Sequence, residues 1–295
     1  MNEQTERDNL TGGVWLLADL FLNVGALSIV KWLGPDYAAS QVVFMRAAVG
    51  FVLILPFIIK ERHTFKDTPD LPLHLLRVLM SVITLTASFF AIARVPLALF
   101  TAVGFTRPIM TMILAAIFLH EWIGAKRWIG AAIAFVGVVI AVNPATFGGD
   151  TTGLVALGVV VLSGSAAVIA TRRLRDAPPI VLMTFYTAGL AIVTAPFALW
   201  AWTPVLPEHL IPLILIGVLA QSAQLCFLRA HFLGAAGFLS VLSYLGLVLS
   251  VLVGLVVFNE TPRPEFFVGA ALVVAAAVWV SLDARKKART GAGIR

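Results

Sequence analysis

Long, nearly all-apolar runs recur along the chain, separated by short polar or proline-bearing stretches. A helix needs about 17 to 25 apolar residues to cross the hydrocarbon core of a bilayer. Ten runs reach that length: 12–33, 39–59, 72–93, 96–119, 126–143, 152–171, 178–202, 209–228, 235–258 and 264–282. They predict ten spanning helices. A transmembrane barrel would show short alternating segments instead. Gly34-Pro35, Pro69, Pro72, Pro144, Pro178-Pro179, Pro204, Pro207 and Pro262 fall in the turns, as residues that cannot continue a helix should.

The pattern occurs twice. Phe118 to Val142 reads Phe-Leu-His-Glu, a basic turn, Trp-Ile-Gly-Ala-Ala and an apolar run; Val257 to Ser281 reads Val-Phe-Asn-Glu, a turn with Arg263, Phe-Val-Gly-Ala-Ala and another apolar run. Glu121 matches Glu260 and Gly130 matches Gly269. Going backwards, Gly13 answers Gly153, Pro56-Phe57 answers Pro196-Phe197, and Leu71-Pro72-Leu73 answers Ile211-Pro212-Leu213. Residues 12–143 and 152–282 therefore read as two copies of one unit, followed by a basic tail, 283–295. Each copy holds five helices, an odd number, so the second enters the membrane from the opposite side. Inverted repeats of this kind are common in secondary transporters, with the site near the bilayer midplane.

Composition agrees with the pattern. The 295 residues are 60% hydrophobic and 12% charged, about half the charge fraction of a soluble domain. The formal charge of +6 points to cytoplasmic loops rather than to nucleic acid. With both termini in the cytoplasm, inner segments hold fifteen Lys and Arg and outer turns hold three, Lys31, Arg94 and Arg263. That asymmetry orients the chain. The acidic start, with Glu3, Glu6 and Asp8, is unlike a cleavable signal, so the first apolar run is expected to stay as a helix. Cys226 is the single cysteine, which excludes an internal disulfide.

Ten helices in two five-helix halves, with Glu121 and Glu260 closing the fourth and ninth helices before Gly-Ala-rich fifth and tenth helices, resemble the drug/metabolite transporter superfamily, EamA type. Within it the chain resembles bacterial inner-membrane exporters of aromatic and other neutral amino acids. The resemblance implies an all-α membrane protein whose two inverted repeats surround a central cavity lined by helices 3, 4, 8 and 9. The family usually carries a proline midway along the fourth and ninth helices; Pro108 fits the first, and Leu247 stands where the second would be.

Ionisable groups inside spans are costly and so become functional candidates. Here they are Asp19, Arg46, Arg77 and Arg107, and their partners in the second copy are Val159, Tyr186, Gly217 and Gly246. The shared scaffold does not require charge at these places. Asp19, about 10 Å inside the first helix, is the coupling candidate, because a carboxylate in low dielectric can take up and release a proton; the competing reading pairs it permanently with Arg77 or Arg46. A guanidinium suits bidentate capture of a substrate carboxylate, which nominates Arg107 and Arg46, against a structural role as counter-ion. Ser81, Thr84 and Ser88 share one stripe of the third helix, and Gln221 and Gln224 align with the first two. With Ser243, Tyr244 and Tyr186 they either face a cavity or bond helix to helix. Pro56, Pro108 and Pro196 are candidate hinge or kink points. Gly130/Ala134 and Gly137/Ala141 permit close packing inside the fold or between protomers, so monomer and homodimer both stay open.

No helical His pair for a metal, no Gly-x-Ser-x-Gly elbow and no phosphate-cradling loop is present. The sequence therefore points away from an enzyme and needs no cofactor. Its expected partners are membrane lipid and a small-molecule substrate, an amino acid first, moved out across a bacterial inner membrane. Other cargo, such as drugs or nucleotide-linked anions, and a non-transport sensor are the alternatives.

Overall fold

The computed structural model describes residues 3–65, 70–104, 106–118, 125–142, 150–174, 177–233, 239, 242–243 and 245–291. Glu121, Tyr244, Ser240 and Phe105 lie outside them. The helices are α1 (Glu3–Leu33), α2 (Ala39–Lys60), α3 (Leu71–Ile92), α4 (Leu97–Gly104), α5 (Arg107–Phe118), α6 (Ala125–Val142), α7 (Thr151–Arg173), α8 (Pro179–Trp200), α9 (Pro207–Leu233), α10 (Leu245–Phe258) and α11 (Pro264–Gly291), with one 3-10 turn at Arg62–Phe65. No strand occurs among the described residues. Among the described residues, six stretches are long and apolar enough to cross a membrane: Leu10–Leu33, Ala39–Lys60, Leu71–Ile92, Thr151–Thr171, Pro179–Trp200 and Pro207–Ala230. Shorter apolar helices include Trp128–Ala141 and Leu245–Phe258.

Two expectations need correction. The fourth predicted helix is not continuous: α4 ends at Gly104 and α5 starts at Arg107. Thr106 makes the turn, its amide and hydroxyl both donating to the Val103 carbonyl while its own carbonyl accepts from Ile109 and Met110. Proline has no N–H to give but is tolerated in the first turn of a helix. Pro108 is the second residue of α5, so it starts a helix where the sequence suggested a mid-helix kink. The first helix begins earlier than expected, at Glu3. Counted from Leu10, where its apolar span starts, Asp19 is about 14 Å in, deeper than the sequence estimate.

The chain forms two compact units. One comprises Met1–Val24, Pro96–Gly148 and Ser222–Arg295, the other Gly25–Val95 and Gly149–Gln221. Each draws on both sequence halves. In the first unit α6 packs along α11, and the small residues of the sequence pattern make that contact. A Cβ on Gly269 would sit 2.4 Å from the Gly137 carbonyl oxygen and from the Ala141 amide nitrogen. Close backbone approach thus uses Gly137 and Ala141 inside the fold. The Glu260 carboxylate accepts from the Leu97 amide at 3.0 Å, giving the start of α4 a capping anion. Thr101 donates to Ser250 at 2.8 Å, joining α4 to α10.

In the second unit α2 packs on α8, and α3 on α7 and α8. Thr84 and Ser163 share a 2.8 Å hydrogen bond between α3 and α7. The Gln41 amide clamps Thr203 with two bonds, donating to its carbonyl at 2.8 Å and accepting from its N–H at 2.9 Å. Asp150 caps α7: its carboxylate accepts from the Thr152 hydroxyl at 2.6 Å and amide at 2.8 Å, with the Arg94 guanidinium 3.3 Å away.

Two outcomes follow. Gly269→Val forces the α6 and α11 backbones apart and is expected to cost about 1–3 kcal/mol, read as a lower melting temperature in detergent. Gly158→Ala, where an added Cβ meets nothing within 4 Å, leaves the melting temperature unchanged or raised. The Thr152 bonds first, then Arg94, hold the Asp150 carboxyl below its ordinary value of 3.8. A depressed folded value means that its contribution is full above that range and is lost as pH falls through the folded value. Asp150→Asn should therefore destabilise at neutral pH, and its melting temperature should converge on that of the unmodified protein in acid.

Candidate functional site

α2 and α8 are both 22 residues long, and Gly50 and Leu190 stand at their midpoints. A pocket opens there in the second unit. Arg46 comes from α2, Tyr186, Thr187 and Leu190 from α8, and Gly217 and Gln221 from the middle of α9. Glycine at 217 is what allows α9 to sit so close, since a Cβ there would lie 2.6 Å from Val49 Cβ and 3.1 Å from the Arg46 carbonyl. The pocket encloses about 190 Å³, its open mouth included. Most of that is the mouth: the enclosed space between these groups is about the size of one water molecule.

Its polar groups are short of partners. Arg46 is half-buried and makes no hydrogen bond or ion pair with another described residue. Gln221 is 8% exposed, and its Nε2 is buried without a hydrogen-bond acceptor. The other buried orphan atoms among the described residues, on His74, Thr86 and Thr184, also belong to this unit. Its described carboxylates, Asp36, Glu61, Asp70, Asp150 and Glu208, all lie at helix ends or in turns. Among the described residues of this unit, no carboxylate lies midway along a helix.

Arg46, Tyr186 and Gln221 are thus brought together; the other described candidates are not among the residues that line this pocket. Ser81, Thr84 and Ser88 are buried on one face of α3 and are not in the pocket wall. Ser81 donates to the Arg77 carbonyl, and Thr84 to the Met80 carbonyl with Ser163 alongside. Of these, Thr84 bonds helix to helix, and Ser81 bonds within α3. Gln224 is half-buried on the part of α9 belonging to the first unit. Ser243 is held in a turn, its amide donating to Leu239 and its carbonyl accepting from Gly246. Arg107 opens α5, half-buried and already engaged. Pro56 and Pro196 are inside α2 and α8.

Asp19 and Arg77 each have partners within their own unit. Asp19, buried in the first unit, accepts from Asn23 Nδ2 at 2.6 Å. Arg77, in the second, donates from Nε to Thr171 Oγ1 at 2.8 Å and from Nη1 to the Leu182 carbonyl at 2.9 Å. The aromatic Trp15 takes the Arg229 guanidinium over its ring at 5.2 Å. Sequence reasoning missed His74, which is fully buried and stacked on Phe185 at 4.5 Å. Its spacing to Arg77 and Ser81, at i, i+3 and i+7 on one helix face, was the available signal.

Residues 10–143 and 151–282 match the EamA-like transporter family. An S-adenosylmethionine uptake transporter of Rickettsia conorii is 28% identical over 283 residues, 94% of each chain. A riboflavin transporter of Vibrio cholerae is 25% identical and covers 95% of this chain and 96% of its own. The pseudopaline exporter CntI of Pseudomonas aeruginosa is 25% identical, covering 86% and 90%. One solved structure superposes with a TM-score of 0.61 at 20% identity over 95% of this chain and 99% of that chain, a likeness of fold. The relatives are transporters, not enzymes, and the family match spans nearly all of the sequence. The protein belongs to the EamA-like transporter family of the drug/metabolite transporter superfamily and is a multi-pass membrane transporter.

Proposed function

We propose that the chain is a bacterial inner-membrane secondary transporter for small carboxylate-bearing metabolites, amino acids and molecules derived from them. Ten spans in two inverted repeats, 12–143 and 152–282, and cytoplasmic termini, with a basic tail at 283–295, complete this reading. The observation that carries it is Arg46: a guanidinium with no described partner, two turns inside α2, beside an amide N–H of Gln221 that also lacks one. An unpaired charge at that depth is expensive. A cargo carboxylate supplies the missing anion and accepts from both groups, while the Tyr186 ring takes the neighbouring apolar part of the molecule.

The relatives' names favour small organic cargo and do not name amino-acid export. S-adenosylmethionine keeps an amino acid's carboxylate, which suits the Arg46 pocket; riboflavin has none. Uptake and export both occur among these names, so direction is set by gradients and coupling. Asp19, buried with one hydrogen bond from Asn23, remains the candidate proton carrier. Pro56 and Pro196 supply bends within α2 and α8, and the α4–α5 break supplies one at Pro108.

Uptake of labelled S-adenosylmethionine, methionine, phenylalanine and threonine into proteoliposomes tests the reading. Losing a hydrogen bond to a charged group costs about 1.5–3 kcal/mol, so Arg46→Gln should raise KM for a carboxylate cargo about 10- to 100-fold. Saturable flux with an unchanged KM in that variant contradicts the anchor and favours carboxylate-free cargo. Gly50→Ala is the milder probe. Its Cβ would lie 3.0 Å from Gln221 Oε1 and 3.3 Å from Thr187 Cγ2, so the amide must shift. KM should rise about threefold to tenfold at unchanged melting temperature.

A further inference from the structure

We infer that Arg77, which does not line the pocket, is a positioning residue for it: Arg77 fixes the Tyr186 ring in the wall and holds a permanent positive charge behind the carboxylate subsite, so that the site prefers an anionic group to a neutral one of the same shape. This rests on the carboxylate reading of the Arg46 pocket.

The geometry is specific. The Arg77 guanidinium lies 5.8 Å from the centroid of the Tyr186 ring, within the range of a cation–π contact. Two tethers hold it there, Thr171 Oγ1 on α7 and the Leu182 carbonyl on α8. Leu182 is one turn before Tyr186 on the same helix, so Arg77 grips the ring and the backbone beneath it together. Neighbouring contacts stiffen the seam. His74 stacks on Phe185, and Val78 fills the place that a side chain on Gly189 would take, 2.5 Å from its Cβ position. Residues 74, 77 and 78 of α3 thus meet residues 185, 186 and 189 of α8 in register.

Packing alone does not call for this arginine. At the corresponding positions of the second copy Arg77 is replaced by Gly217 and His74 by Ile214, so the repeat is built there without charge. Both hydrogen-bond acceptors of Arg77 are neutral, and the described carboxylates of its unit are at helix ends or in turns. No described carboxylate of its unit pairs with it beside Tyr186, the residue that also borders Arg46's pocket. A second cation acting through that ring strengthens the field on an anion there and does nothing for a neutral amide.

The experiment measures competition by L-methionine and by L-methioninamide against labelled S-adenosylmethionine on the full chain in nanodiscs. The unmodified protein should favour the acid. In Arg77→Gln the acid-to-amide ratio should fall about tenfold, the scale of a desolvated cation–π contact with its charge. Arg77→Lys, which keeps the charge, should keep most of the ratio, and Tyr186→Leu should lower it as Arg77→Gln does. A ratio unchanged in Arg77→Gln, with Arg46→Gln still abolishing it, overturns this inference and leaves the Arg46 reading intact. The same holds if Arg77→Lys behaves like Arg77→Gln, which would mean a tethering role only. No preference for the acid in the unmodified protein overturns both. Should Arg77→Gln fail to fold, Arg77→Lys and Tyr186→Leu decide the matter by the same ratio.

Discussion

A charge in the middle of a membrane protein must be neutralised, fully hydrogen-bonded or left waiting for a ligand. The second unit shows two of these solutions on helices that share one aromatic residue. Arg77 spends its N–H groups on a threonine hydroxyl and a backbone carbonyl and leans on Tyr186. Arg46 has none of these bonds among the described residues and borders the same tyrosine from a pocket. The orphan amide of Gln221 is an unmet cost of the same kind, since a buried donor without an acceptor loses its full solvation. The proposed cargo site is the place where these costs coincide.

What holds the site in place is close packing between helices with little side chain between them. Gly217 brings α9 against α2, Gly189 accepts Val78 of α3, and Gly50 leaves room for the Gln221 amide. In the first unit the same device joins α6 to α11 through Gly137 and Gly269. Lipid offers apolar side chains as good a home as the protein does, so contact between spans depends on such fits and on hydrogen bonds. Thr84 with Ser163 and Thr101 with Ser250 are bonds of that sort. They explain why polar residues on a span need not face a cavity.

The apolar runs were legible because the hydropathy of each span is a sum over about twenty residues, and no single contact changes it. The break between α4 and α5 was not, because apolar residues continue on both sides of it and the turn is made by local bonds of Thr106 to Val103. At the site, Arg46, Tyr186 and Gln221 were visible as polar interruptions, yet sequence treats Ser81, Thr84 and Ser88 as their equals. Only helix rotation and neighbours separate residues that bond within α3 and to α7 from those that line a pocket. The hydrogen bond of Asp19 with Asn23, one turn away, was illegible for the same reason: depth alone nominates Arg77 or Arg46 as partners and says nothing of neighbours on the same helix.

The most direct measurement is an experimental structure of the purified transporter with S-adenosylmethionine bound. The account predicts the ligand's carboxylate within hydrogen-bond distance of both the Arg46 guanidinium and Gln221 Nε2, with Tyr186 against the adjoining part of the molecule. A carboxylate held instead by Arg107, or facing solvent with Arg46 still unpartnered, would contradict it.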